Sequence, residues 1–124
     1  MSSYAVGKYD FCIPKGTDII VPFRFRDSEG NLIDLGGFEA RMQIRRFVNS
    51  SLVIDELTTY NARITVNVEE GTLTLHFPHA LTEQYPTGQI VYDIELVSAD
   101  GIVARVVEGR ISVTSEVTRA LVER

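Results

Sequence analysis

The sequence predicts an all-β fold, an antiparallel immunoglobulin-like β-sandwich of about seven strands joined by one short helical connection. Three observations carry that expectation. Most of the chain alternates apolar and polar residues with period two. β-Branched residues outnumber good helix formers in those stretches. Gly, Asn, Asp and Pro punctuate them at steady intervals. A small Greek-key barrel is the alternative architecture.

Taken in order, the first strand with a clear pattern runs from Asp18 to Arg26, with Ile19, Val21, Phe23 and Phe25 inward and Arg24 and Arg26 outward. Pro22 lies inside it and assigns it to an edge or a bulge, because proline cannot donate to a ladder. Turn residues 27–31 follow. Phe38, Ala40, Met42 and Ile44 then alternate with Glu39, Arg41, Gln43 and Arg45 after the Gly36-Gly37 hinge. Residues 52–58 read as a strand with apolar residues on both parities and no assignable inner face. Residues 63–77 read as a hairpin, with Gly71 supplying the turn and Leu73, Leu75 and Phe77 facing the core. Pro78 to Tyr85 predicts about two turns of helix, ended by Pro86 and Gly88. A second hairpin turns at Asp100-Gly101, sending Ile90, Tyr92, Ile94 and Leu96 inward on its first strand. On its return strand Ile102, Ala104 and Val106 share one parity and Ile111 and Val113 the other, so a β-bulge is expected, placed at Glu108-Gly109. Around this sandwich, residues 8–114, the reading places an N-terminal arm over 1–7 and a C-terminal arm over 115–124, where 116–124 has the pattern of a short amphipathic helical turn.

With 124 residues the chain suits one domain with one core. Seventeen acidic against 12 basic residues, a net charge of −5 with no basic run, offers no platform for neutralising phosphates, so nucleic acid is not an expected partner. The longest apolar runs are far short of the roughly 20 residues that cross a bilayer, so a membrane is not expected either. No export signal opens the sequence. The single cysteine, Cys12, excludes an internal disulfide and is read as a half-buried strand thiol.

Chemistry-bearing motifs are sparse. His76 and His79 are spaced to approach one ion, but no carboxylate close in sequence completes a ligand set, so neither metal nor cofactor is expected. No nucleophile elbow or phosphate-binding glycine loop is present, so no catalytic residues are expected and the chain is read as a non-enzyme. Asn49-Ser50-Ser51 matches a glycosylation sequon without an export signal to give it meaning.

The outward residues are more informative. Arg41 and Arg45 on one strand and Asp93 and Glu95 on another would pair across neighbouring strands, and these rows are read as a contact surface for other subunits. Ile20, Val91 and Val107 are also outward by parity and join that candidate protein interface, together with Tyr4 and Val6 of the first arm and Leu121 and Val122 of the last. A carbohydrate-binding surface would need an aromatic cluster, for which Tyr4, Tyr60 and Tyr85 are the loop and tail tyrosines.

The order of these elements resembles a known family. Phe11-Cys12-Ile13-Pro14-Lys15-Gly16-Thr17-Asp18, then 23–30, then 33–45 resemble an N-terminal β-domain of tailed-bacteriophage structural proteins. Leu73-Thr74-Leu75, Leu81-Thr82, Tyr92-Asp93-Ile94-Glu95-Leu96, Asp100-Gly101, Gly109-Arg110-Ile111-Ser112-Val113 and Glu116-Val117-Thr118-Arg119 are similar to the rest of that module, over roughly residues 8–119. The resemblance to baseplate upper and other tail-associated proteins implies a virion component made in the host bacterial cytoplasm. Such a component would be a small adaptor in the baseplate, neck or tail, holding other phage structural proteins in multiple copies within a symmetric assembly. A head decoration protein and a host-surface carbohydrate-binding module are the alternatives. The chain stops where larger members continue into fibre domains, which argues against an appended receptor-binding part.

Overall fold

The computed structural model describes residues 6–119. Nine strands and one helical turn follow in order: β1 Gly7–Lys8, β2 Phe11–Pro14, β3 Ile19–Arg24, β4 Glu39–Arg45, β5 Asp55–Thr58, β6 Ile64–Asn67, β7 Thr72–Phe77, α1 His79–Thr82, β8 Gly88–Val97 and β9 Val103–Thr114. They form two sheets. A six-stranded sheet has the order β1-β9-β8-β4-β5, with β2 continuing the edge that β1 begins on β9. A three-stranded sheet has the order β3-β7-β6.

The inward parities expected from sequence meet between the sheets. Met42, Ile44, Ile90 and Ile94 of the large sheet are buried with Leu73, Leu75 and Phe77 of the small one. The residues 52–58 resolve into β5, whose Leu57 takes the core side. Pro22 sits on an edge strand as expected, since β3 pairs only with β7. Both predicted hairpins form, β6 with β7 around Gly71 and β8 with β9 around Gly101, and both glycines have positive φ, +61° and +84°. The helix is shorter than predicted. It keeps four residues because Pro78 sits at its N-cap without a side-chain cap and Tyr85 turns into the core. Asp18, just before β3, supplies the missing cap, its carboxylate accepting from the His79 N–H at 2.6 Å, and this bond holds its pKa below the ordinary carboxylate value.

Two features differ from the predicted arrangement. The first is that β1 and β2 run parallel to β9, so the sheet is not purely antiparallel, and Gly7, read as part of an arm, pairs with Val107. The second is the bulge. It lies at Val106, where the register steps between Ile94↔Val107 and Glu95↔Arg105, and not at Glu108-Gly109. Gly109 has another task. The Tyr9 carbonyl lies so close that a Cβ there would overlap it, and the Tyr92 hydroxyl donates to that same carbonyl at 2.5 Å. Burial raises the pKa of that hydroxyl, with Asp10 adding to the effect. Glycine therefore lets the β1–β2 junction lie down on β9. Phe23, Tyr9, Phe11 and Phe77 pack in that order, ring against ring, at centroid distances of 5.4–5.9 Å and close that side of the sandwich.

At the opposite side a polar clasp joins the sheets. Arg63, just before β6, makes a bidentate contact with Asp55 of β5 at 2.8 and 3.2 Å and donates to the His76 carbonyl of β7 at 2.8 Å. The Tyr85 hydroxyl donates to the same Asp55 carboxylate, and burial, reinforced by that carboxylate, drives its pKa far above the ordinary phenol value. Tyr85 is thus a core residue, which removes it from the expected set of surface tyrosines.

Candidate functional site

The outer face of the six-stranded sheet carries a charged surface trough. It has a volume of about 790 Å³ and is walled by Val48 of the β4–β5 loop on one side and by Lys8 and Asp10 on the other. Strand register arranges its floor in rows. The first crosses Arg45 of β4, Val91 of β8 and Arg110 of β9. The second crosses Glu56, Gln43, Asp93, Glu108 and Lys8. The third crosses Thr58, Arg41, Glu95 and Arg105. A fourth, past the end of the trough, crosses Glu39, Val97 and Val103.

The bulge makes this surface possible. By inserting Val106, it turns both Val106 and Val107 into the core and leaves Arg105 and Glu108 side by side on the outer face. Arg105 bridges Asp93 at 3.3 Å and Glu108 at 3.6 Å, while Arg41 donates to Glu95 at 2.9 Å. Burial raises the Asp93 carboxyl above its ordinary pKa; Arg105 opposes the shift, and Glu95 and Glu108 add to it. The first row is wired differently. Arg45 donates to Gln43 and to the Ser50 carbonyl, both at 2.7 Å, and the Arg110 backbone N–H donates to Asp10 at 2.8 Å. Among the described residues neither guanidinium forms an ion pair.

The bond from Arg45 also shapes the loop beside it. Ser50 accepts from the Phe47 N–H through Oγ and donates its own N–H to the Phe47 carbonyl, closing a tight turn. That turn displays Phe47 and Val48 at 64 and 86% exposure, and Leu52 just after it is 75% exposed. These are apolar side chains held out in water by a hydrogen-bonded frame.

The structure brings together five of the residues singled out from sequence: Arg41, Arg45, Val91, Asp93 and Glu95 all lie on this face. It separates others. Ile20 is exposed on the small sheet's outer face, and Val6 is exposed just before β1. Val107 is a correction: it is 4% exposed, because the bulge precedes it. Tyr4, Leu121 and Val122 lie outside the described residues. Cys12 is exposed, because Phe11 and Ile13 take the inner side of β2. The histidines engage different partners, His76 with Thr65 at 2.9 Å and His79 with Asp18 at 3.0 Å. Sequence reasoning missed Arg105, Glu108, Arg110 and Lys8. The pair Val106-Val107 was the available signal, since two adjacent apolar residues inside an alternating strand mark a bulge.

Comparisons with known proteins show no family for this chain. No protein-family model matches the chain, and no curated protein does. Among solved structures it is similar to CopC from Methylosinus trichosporium OB3b, at 14% identity and a TM-score of 0.47, over 94% of this chain and 91% of that one. That neighbour is not a phage protein, and none of the comparisons supports the phage resemblance. The expectation of a tailed-phage structural protein, whether adaptor or head decoration, is therefore corrected. A likeness at this level transfers no function or ligand from CopC. Among the described residues no three His, Cys, Asp or Glu side chains converge to hold a metal.

Proposed function

We propose that the chain is a non-catalytic recognition module that binds a protein surface through the outer face of its six-stranded sheet. The observation that carries this reading is the composition of the trough. Five cationic residues, four of them arginine, interleave with four carboxylates along its lining. A polyanion would call for one sign of charge, whereas alternating signs suit a protein with its own charge pattern. Arginine is also the cation enriched at protein interfaces, and lysine is depleted there. The two histidines of the sequence and Cys12 sit in three separate places with separate neighbours, an arrangement that favours binding over chemistry.

The edges favour a face over strand addition. Pro22 interrupts β3, Pro14 ends β2, and β5 and β6 have four residues each. The test is site-specific photo-crosslinking in cells that make the protein. A photo-reactive residue at Val91 is expected to give a discrete protein adduct, and the same group at Thr74 on the small sheet is expected to give none. Equal labelling from both positions, or none from Val91, would overturn the reading.

A further inference from the structure

Resting on that reading of the face, we propose that the surface it binds is its own: a second copy of this chain, packed face to face with antiparallel strands. The rows alternate in sign. The first is positive through Arg45 and Arg110 against Asp10, the second negative through Glu56, Asp93 and Glu108 against Lys8. The third is positive through Arg41 and Arg105 against Glu95, and the fourth negative through Glu39. Four alternating rows, read backwards, give the opposite sign at every row. A two-fold axis lying in the interface, crossing the strands between the second and third rows, therefore sets each row against its complement.

The pairing holds along individual strands as well. On β4, Arg45 meets the other copy's Glu39. On β9, Glu108 meets Arg105. On β8, Val91 meets Val97, an apolar contact at each end of the interface. Asp93 meets Glu95, and both already have arginine partners within their own chain, Arg105 and Arg41. The projecting Val48 of one copy, just past Arg45, comes over the Glu39 end of the other copy's β4, where Tyr60 is 83% exposed and bonded to Glu39. The fifteen strand positions of the four rows, at about 4.8 by 6.8 Å each, cover about 490 Å² per copy, or about 1,000 Å² over both copies, at the lower limit of a specific interface. Sliding by one row would set like charges together, so the register is specified by repulsion as well as attraction.

Sedimentation of the wild-type chain tests the proposal, with a charge swap to locate the interface. The chain is expected to sediment as a dimer, with a Kd that rises about tenfold or more at about 1 M salt, where the screening length is about 3 Å. Glu108→Lys and Arg105→Glu should each weaken self-association about tenfold or more, since each sets like charges across the interface twice. Mixed in equal amounts they should dimerise again, because Glu108→Lys in one copy then faces Arg105→Glu in the other. Repulsion within a chain is unchanged by mixing, so recovery reports only contact between copies. Independently, in a Cys12→Ser background, chains carrying Val91→Cys and chains carrying Val97→Cys should form a disulfide-linked dimer together and not separately. A monomeric wild type would overturn the inference, and a Val91 photo-adduct with a different protein would then leave the recognition reading standing. A wild-type dimer with neither recovery on mixing nor disulfide trapping would also overturn it, since the contact would lie elsewhere.

Discussion

Two arginine–carboxylate pairs in this sandwich have nearly the same contact distance and differ in their surroundings. Arg63 meets Asp55 at 2.8 Å with side chains 14 and 12% exposed; Arg41 meets Glu95 at 2.9 Å with side chains 52 and 26% exposed. The first is shut between the sheets, where its charges have lost most of their water and depend on each other, on Tyr85 and on the His76 carbonyl. The second lies on the open face, where water and salt compete for both partners. Distance alone does not tell a bond that holds the fold from one that remains available to a partner; solvent does.

Removing one side of the buried pair should break the comparison most sharply. Arg63→Met leaves the Asp55 charge without its cation, held only by the Tyr85 hydroxyl and the Glu56 N–H, and urea unfolding is expected to show a loss of about 3–5 kcal/mol. A loss below about 1 kcal/mol would mean that the clasp is no more than a surface pair. Gly109→Ala should come next, at about 1–3 kcal/mol, because the added methyl collides with the Tyr9 carbonyl. Its signature is local. Amide exchange should accelerate at Phe11 and Ile13 while β6 and β7 keep their protection. The smallest effect belongs to the exposed pair. A double-mutant cycle of Arg41→Ala and Glu95→Ala should return a coupling below about 1 kcal/mol that shrinks as salt is added.

Local chemistry made much of this fold legible. Asp100-Gly101 and Gly71 announced two hairpins, Pro22 announced an edge, and simple parity placed Arg41 and Arg45 beside Asp93 and Glu95. What stayed hidden depends on residues distant in sequence. Nothing around Phe11 reveals that its partner is Ile111. The bulge was expected at a glycine because glycine tolerates one, yet that glycine is needed for the approach of Tyr9, and a valine pair absorbs the extra residue. With the register of β9 displaced, Arg105, Glu108 and Arg110 could not be joined to the surface they complete. The clasp was invisible for the same reason, since Asp55, Arg63 and Tyr85 come from three separate segments. The family resemblance rested on short turn and strand strings, and such strings report turn chemistry that unrelated sandwiches share.

The parallel seating of β1 and β2 on β9 bears on how the molecule is made. Gly7 pairs with Val107 and Phe11 with Ile111, so β1 and β2 leave the ribosome with no ladder to join until β9 has emerged. The β6–β7 and β8–β9 hairpins can close as they are synthesised, whereas this edge waits for every strand from β3 to β9. During that interval Phe11 and Ile13 are exposed, and a nascent chain halted before β9 would present them to chaperones and proteases as unfinished.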